Sequence, residues 1–191
     1  MDGQGEPRSN TLRKAATLII LTAALVSALI APAAQAAPRQ TPSGQPVPRY
    51  VTLKFDKVYA RAGPGEDHKL LWVYNAKGLP VQVIAENTEW RRICDPDGGV
   101  AWVHRRLTSG ENNVMRAKPE RLGLHKQPRA EAEIIAYLAP RSIAQLAKDC
   151  EDGWCKVKAD GVSGWAPAGE LWGTSDAIQC KLTRPVAARK H

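Results

Sequence analysis

The chain has 191 residues, and 27 Lys and Arg against 19 Asp and Glu give it a formal net charge of +8. A basic balance of this size suits nucleic acid, anionic lipid or an acidic polymer, and it equally suits a generic soluble surface. The export pattern at the N-terminus argues against nucleic acid as a partner, because a protein of the cell envelope rarely meets it.

The first 36 residues have the pattern of a secretory signal peptide. Three basic residues precede residues 15–31, which are apolar apart from two Thr and one Ser. Residues 34–36 read Ala-Gln-Ala, the small side chains that signal peptidase requires, so we expect cleavage after Ala36. The apolar run is short for a membrane span, which needs about 20 residues. An uncleaved anchor is the alternative, and it is the one route by which we expect the chain to contact a membrane.

Residues 37–49 have the composition of a linker. Four Pro lie among Gln, Ser, Gly and Arg, which favours extended, unpacked chain. Two units follow, residues 50–110 and 113–173, and a basic tail, 174–191, ends the sequence. Each unit can bury only a small core, so packing against its neighbour should help to stabilise it.

The first unit predicts short strands separated by turn residues. Gly63-Pro64-Gly65 cannot lie inside a strand ladder and marks a loop, and residues 95–99, Asp-Pro-Asp-Gly-Gly, form a strong turn signal. Strands at this spacing indicate a small barrel or sandwich. The predicted strands cover 50–55, 58–61, 70–74, 80–86, 90–94 and 100–104.

The second unit repeats the first. Pro128 and Trp154 each fall 64 residues after Pro64 and Trp90, and Trp165 falls 63 residues after Trp102. Residues 130–138 have helical propensity, but their strand-like counterpart in the first unit overrides it. Internal repetition indicates two copies of one small all-β unit, and it favours a binding array over an active site. The predicted strands cover 114–117, 123–126, 134–138, 142–148, 154–159 and 162–166.

The four cysteines, an even number in an exported chain, predict disulfides and favour the periplasm. Cys150 and Cys155 flank what reads as a tight turn between two strand ends, which places them within disulfide reach. Cys94 and Cys180 are the remaining pair, which would tie the tail to the first unit, although the sequence alone does not establish it. Cys-x4-Cys without a nearby His is weak evidence for zinc, and we expect no metal or other cofactor.

A set of short motifs recurs in the same order in both units. The first unit has Arg-Ala-Gly-Pro-Gly at 61–65, Trp-Val-Tyr at 72–74, Trp-Arg-Arg-Ile at 90–93 and Ala-Trp-Val-His at 101–104. The second has Gly-Trp-Cys-Lys-Val at 153–157, Gly-Trp at 164–165 and Leu-Trp-Gly at 171–173. This series resembles the bacterial SH3-like domain family. The resemblance implies two tandem small barrels without chemistry of their own, of a kind that is typically exported and often binds cell-wall peptides or tethers enzymes to the wall.

The two units differ at two places within this resemblance. Residues 125–129 read His-Lys-Gln-Pro-Arg where the first unit has its glycine-rich loop, and Gly164 stands where the first unit has Ala101. The first difference puts a binding role of that loop in the second unit in doubt. We therefore expect the first unit to carry most of any recognition, and the second to act more as a stabilising partner.

Strand alternation indicates which aromatic residues could bind a ligand. Side chains two residues apart share a face. If Ile93 and Val157 point into the cores, Trp90 and Trp154 lie on an outer face with basic neighbours. A Trp beside Arg or Lys can form a platform for a peptide or a sugar, and a Trp that merely covers the open edge of a barrel is the equal alternative. In the first unit Tyr59, Trp72 and Tyr74 extend the platform or pack, with packing favoured, and we expect Trp102 and Trp165 in the cores.

We expect no enzymatic activity. The histidines at 68, 104 and 125 lie in a loop and near strand ends, without an evident nucleophile arrangement, and a disulfide is the better use of Cys94 than a thiolate beside His104. Residues 95–98 lack the later ligands of a calcium loop, so a turn accounts for them better. The sequence predicts an exported, non-enzymatic tandem module that binds a peptide or cell-wall component in the bacterial envelope. The alternative is a structural or protein-interaction adaptor without affinity for the wall.

Overall fold

The computed structural model describes residues 41–180, apart from the side chains of Lys148 and Asp149, and in that range the chain forms β-strands, two short 3₁₀ turns and no α-helix. The predicted signal peptide and the end of the tail, residues 181–191, lie outside the described residues. No helix between residues 41 and 180 has the length and apolar character to span a membrane.

Domain 1 contains seven strands, and a 3₁₀ turn at Arg105–Leu107 precedes the last of them. Domain 2 contains six strands, and a 3₁₀ turn at Ala168–Glu170 follows the last. The strands of domain 1 are β1 (Arg49–Leu53), β2 (Val58–Arg61), β3 (Leu70–Tyr74), β4 (Pro80–Glu86), β5 (Trp90–Cys94), β6 (Val100–His104) and β7 (Thr108–Ser109). Those of domain 2 are β8 (Asn113–Met115), β9 (Leu122–His125), β10 (Ile134–Leu138), β11 (Ile143–Glu151), β12 (Trp154–Ala159) and β13 (Val162–Pro167).

The two domains share one strand order. Domain 1 is ordered β3-β2-β6-β5-β4-β1-β7 and domain 2 is ordered β10-β9-β13-β12-β11-β8, with antiparallel neighbours throughout. When β7 is left aside, each strand of domain 1 occupies the same place in its sheet as the corresponding strand of domain 2, from β1 and β8 to β6 and β13. This confirms the predicted all-β fold of two tandem barrels and the repeat from which it was inferred.

Each domain has its own core, built from the inward-facing positions of its strands. The core of domain 2 uses smaller side chains, because Ala144, Cys155 and Ala166 stand among its buried residues. The core of domain 1 includes Val51, Leu53, Val58, Ala60, Trp72, Tyr74, Leu79, Val81, Val83, Ile93, Ala101 and Val103. Both Ile93 and Val157 are fully buried, as the alternation required.

The domains pack against each other as parts of one compact unit. Met115, on β8 of domain 2, is 2% exposed and belongs to the core cluster of domain 1. The Trp172 indole donates to the carbonyl of Pro80 at 2.9 Å, and the Asn113 side-chain amide donates to the carbonyl of Gly78 at 2.9 Å. The expected packing of each unit against its neighbour is therefore present, and it includes a shared core.

The segment after domain 2 returns to domain 1. We call residues 174–180 the tail strap. Cys180 is bonded to Cys94 at the end of β5, with a Cα–Cα distance of 5.8 Å. The fully buried Gln82 donates to the carbonyl of Ala177 at 2.8 Å and accepts from the Gln179 amide at 2.9 Å. The described part of the tail is thus bound by more than its cysteine.

The second disulfide joins the strands of the β11–β12 hairpin. Cys150 and Cys155 have a Cα–Cα distance of 4.1 Å, as their spacing predicted, and Cys94–Cys180, the remaining pair, is present too. The turn between them places Asp152 and Gly153 at positive φ, 49° and 78°. Aspartate followed by glycine tolerates this conformation in tight hairpins.

Candidate functional site

A cleft of about 230 Å³ lies between the two domains. Domain 1 contributes aromatic side chains of β3 and the loop after β5. Domain 2 contributes Met115, Arg141 and Ile143 from β8 and the start of β11. A concave site built at a domain boundary, with apolar walls and a few polar groups, is the usual location of a ligand.

The aromatic wall of the cleft comes from the inward face of β3. Trp72 pairs across the ladder with Ala60, and Tyr74 pairs with Val58. Both aromatic residues are 7% exposed, and their rings meet edge to face with centroids 5.9 Å apart. They therefore pack in the core of domain 1 and present only part of their surface to the cleft.

The loop after β5 holds a carboxylate at the side of the cleft. Asp95 is 1% exposed and accepts hydrogen bonds from the Tyr74 hydroxyl at 2.9 Å and from the amides of Asp97 at 2.9 Å and Gly99 at 2.7 Å. Gly99 is required here, because a Cβ at this position would lie 2.6 Å from the Asp95 carboxylate. The turn predicted for residues 95–99 is thus confirmed, and its first carboxylate organises it.

Arg141 connects domain 2 to this loop. Its guanidinium donates to both carboxylate oxygens of Asp97, at 2.8 and 3.0 Å, and this pairing raises the pKa of Arg141. The backbone of Arg141 has φ 61°, a left-handed conformation that side chains other than glycine rarely adopt. Its amide donates to the carbonyl of Arg116 at 2.7 Å, which holds the residue in place.

The charges around the cleft do not cancel. Two carboxylates, Asp95 and Asp97, and one guanidinium, Arg141, line it, which leaves one negative charge in a protein whose formal net charge is +8. A ligand with a positive group and an apolar portion suits these walls, since aromatic faces and carboxylates both favour cations.

The predicted outer platform is only partly formed. Trp90 is 7% exposed, with its ring edge-on to His104 at 5.3 Å between centroids. Trp154 is half-buried and meets His125 in the same way, also at 5.3 Å. Trp90 therefore covers the barrel and offers little open surface, whereas Trp154 keeps more of its ring accessible.

Tyr59 does not join the other aromatic candidates. It is 45% exposed and points away from Trp72 and Tyr74, because it occupies an outward position of β2 opposite Val73. The ammonium group of Lys57 lies 5.8 Å from the centre of its ring. The five residues considered as a ligand platform thus occupy separate surfaces, and only Trp72 and Tyr74 line the cleft.

The structure corrects the expectation that Trp102 and Trp165 are core residues. Both are half-buried, and their neighbours along the strand are the buried ones: Ala101 and Val103 in β6, Gly164 and Ala166 in β13. Alternation therefore places the indoles on the outer faces. The sequence contains this signal, since the residues that flank each Trp are small or aliphatic, whereas the size and apolar character of the indole alone favour a core position.

Sequence reasoning did not find the residues that domain 2 contributes to the cleft. Arg141 follows Pro140 between the predicted strands 134–138 and 142–148, and nothing in its surroundings in sequence distinguishes it. All four cysteines are in disulfides, so Cys94 offers no thiolate to His104. Within residues 41–180, no three His, Cys, Asp or Glu side chains are grouped so that they could hold a metal ion.

Comparisons with known proteins bear on the family. Two solved structures, NlpC1 and NlpC2 from Trichomonas vaginalis, are similar over 72% and 70% of this chain, at 12% and 14% identity and TM-scores of 0.31 and 0.30. The chain covers 49% and 48% of their lengths, about half of each. A search of curated protein sequences gave no significant match. The family model of the bacterial SH3 domain matches residues 54–110 and again 118–173, more than half of the sequence, so the chain belongs to the bacterial SH3 domain family.

Proposed function

We propose that the protein is a non-enzymatic binding module of the bacterial envelope that recognises a peptide component of the cell wall, and that the cleft between the domains is its site. The cleft carries this proposal, because both copies of the repeat contribute to it. The tandem bacterial SH3 domains support a cell-wall-related role, and the signal-peptide pattern and the two disulfides support the envelope as location.

The chemistry of the cleft suits a short peptide segment. Asp97 takes two N–H groups of Arg141, and the remaining N–H groups of the guanidinium can donate to a carboxylate of the ligand. The negative charge of Asp95 and Asp97 attracts an ammonium group at the same side of the cleft. Trp72 and Met115 supply apolar contact between them. A volume of about 230 Å³ lies below the range of roughly 300–1,000 Å³ found for drug-sized ligands, so we expect one or two amino-acid residues to enter.

The lining residues also support a role in binding without chemistry. The cleft presents carboxylates, a guanidinium and an amide, but its lining includes no Ser, Thr, Cys or His. A nucleophilic mechanism that uses a hydroxyl or a thiol needs one of these side chains beside a base.

The test is binding of the full chain to purified peptidoglycan and to soluble wall peptides, measured by pulldown and calorimetry. Arg141→Ala should weaken binding on the order of tenfold, because it removes the guanidinium N–H groups proposed to donate to the ligand and its charge beside the cleft. Arg129→Ala is the matched control, since Arg129 is exposed and forms no ion pair within residues 41–180. Equal binding by the two variants, with unchanged thermal stability, would show that the cleft is not the site.

The salt dependence of binding distinguishes recognition in the cleft from nonspecific attraction to the basic surface. Binding that persists at moderate salt indicates the partly enclosed cleft, whereas complete loss indicates the basic surface, because exposed charges are screened within about 8 Å at physiological ionic strength.

A protein-interaction adaptor is the second candidate. Strand β10 exposes three large apolar side chains, Ile134 at 44%, Ile135 at 41% and Tyr137 at 52%. Exposed apolar groups that lie together often mark a protein contact. Co-purification of one stoichiometric protein partner, lost on Ile135→Lys, would favour this function over wall binding.

A further inference from the structure

Both domains carry the same arrangement of side chains on the outer face of the sheet. In domain 1, Trp102 lies directly between Arg61 on β2 and Arg92 on β5. In domain 2, Trp165 lies directly between His125 on β9 and Lys156 on β12. We call these two sets the cation–Trp rows.

The rows are retained in the repeat although the core does not require them. Each member of the second row follows its counterpart by 63 or 64 residues. The Trp and one cation are kept, Arg92 corresponding to Lys156, and His125 stands where domain 1 has Arg61. Other outward positions have changed freely, since Gly123 stands where domain 1 has Tyr59, and Pro167 stands where it has His104. Retention at solvent-facing positions amid such change indicates a shared use of the rows.

The basic groups of the rows are available to a ligand. Among the side chains that the structure describes, those of residues 41–147 and 150–180, Arg61, Arg92 and Lys156 take part in no ion pair. Arg61 donates to the carbonyl of His68 at 2.9 Å, and His125 Nδ1 lies 2.9 Å from the carbonyl of Ala132. The two Trp are half-buried, so each indole keeps part of its surface open.

We propose that the cation–Trp rows bind an acidic polysaccharide. The flat apolar face of an indole suits the C–H face of a pyranose ring, and its N–H adds a polar contact. Neighbouring strands lie about 4.8 Å apart, so the basic side chains start close on both sides of the indole. A sugar stacked on the Trp would place its own carboxylate within reach of one of them.

The arrangement favours a saccharide over other anionic polymers. A single-stranded nucleic acid needs a continuous groove with several aromatic side chains for successive bases. Domain 1 has one half-buried indole on this face, Trp102, and domain 2 has two, Trp154 and Trp165, which is a shorter set. A membrane surface needs a contiguous apolar face that can enter the lipid, and half-buried indoles set among strands do not provide it.

Two rows on one compact unit suit a polymer. A chain long enough to reach both rows would make its second contact at high effective concentration, and its overall affinity would exceed that of either row alone. This site shares no residue with the cleft, so the inference does not rest on the proposed function.

The test is calorimetric titration of the full chain with polygalacturonate, a uronic acid polymer, and with its methyl ester as the neutral counterpart. We expect binding of the acid and little binding of the ester. The double variant R92Q/K156Q should weaken binding on the order of tenfold, because it removes one charged partner from each row. The double variant K77Q/R129Q removes the same charge from exposed positions elsewhere and should change binding by less than about threefold.

The indoles are tested separately. W102L/W165L keeps an apolar cover but removes the flat rings, so it should weaken binding to a similar extent and abolish any quenching of tryptophan fluorescence by the polymer. Arg141→Ala should leave this binding unchanged. Equal losses in the two charge variants, equal binding of acid and ester, or tighter binding of oligo(dT) or phosphatidylglycerol vesicles would overturn the proposal.

Discussion

Glu86 connects the segment before β1 to the end of β4. Its side chain is 2% exposed, and it accepts hydrogen bonds from Arg49 and Thr41, each at 2.5 Å, and from Ser43. Burial opposes ionisation, but these hydrogen bonds outweigh it and lower the pKa of Glu86 to about 2. Part of the segment with linker composition is therefore bound to domain 1.

The lowered pKa of Glu86 predicts acid sensitivity. Since the folded value lies below the ordinary one of 4.5, the carboxylate stabilises the fold above that pH, and this contribution is lost as the pH falls toward 2. Glu86→Gln should cost about 2 kcal/mol at pH 7, and the difference from the unmodified protein should shrink as the pH falls through this range. Urea unfolding at pH 7, 4 and 2 measures it. Glu131→Gln, at an exposed position, is the control, and a constant difference across pH would contradict the prediction.

At the scale of single residues, the sequence predicted burial and turn positions where neighbouring residues in the chain determine them. The alternation of β5 and β12 placed Ile93 and Val157 inside, and turn chemistry explained Asp95 and its loop. It could not assign Trp72 and Tyr74 to the cleft or find Arg141, because the opposite wall comes from residues far along the chain.

At the scale of elements, Gly164 sets the approach of β13 to β9. A Cβ on Gly164 would lie 2.8 Å from Leu124 Cβ and 3.3 Å from the carbonyl oxygen of His125. Domain 1 has Ala101 at the equivalent position, buried at 2% exposure. The difference between the two copies is thus a packing difference.

Gly164→Ala should therefore destabilise the protein by about 1–3 kcal/mol, as overpacking of a core does. Gly169→Ala is the matched control, since a Cβ there meets nothing within 4 Å, and its effect should stay within about 0.5 kcal/mol. Guanidinium unfolding compares the two variants. Equal stability would mean that β9 and β13 separate at little cost.

Most strands could be predicted because short strands with clear turns are local features. The predicted ranges 70–74, 80–86 and 154–159 agree with the structure at both ends. The predicted strand 142–148 is longer in the structure, where β11 ends at Glu151. The Cys150–Cys155 hairpin continues the pairing of β11 with β12 beyond residue 148. Trp102 and Trp165 show that residue type alone does not predict burial in a strand, because the alternation of their neighbours places both indoles on the outer face.

At the scale of the whole molecule, the two disulfides differ in the chain they enclose. The sequence separation is 86 residues for Cys94–Cys180 and 5 for Cys150–Cys155. In the chain-entropy model a loop of the first length contributes about 4–5 kcal/mol, and one of the second length about 2 kcal/mol.

The double variant C94A/C180A should therefore lose roughly 2 kcal/mol more stability than C150A/C155A. Guanidinium unfolding without reductant provides the measurement. Both variants remove two sulfur atoms from buried or half-buried sites, so each serves as the control for the other. An equal loss would show that the long loop is already restricted in the unfolded chain.

The association of the two domains was predicted only in outline. Small units were expected to pack together, but nothing in the sequence placed Met115 of one copy in the core of the other. Such a contact depends on the relative placement of β8 and domain 1, which local patterns do not encode.

The tail strap makes the first domain depend on the last described residues of the chain. Cys94 emerges from the ribosome long before its partner Cys180, so its bond can form only after the whole second domain has been synthesised. A chain that ends between Cys155 and Cys180 therefore leaves Cys94 without its partner, although Cys150 and Cys155 can still pair. The Cys94–Cys180 bond is therefore a feature that domain 1 can acquire only in a chain that extends to residue 180.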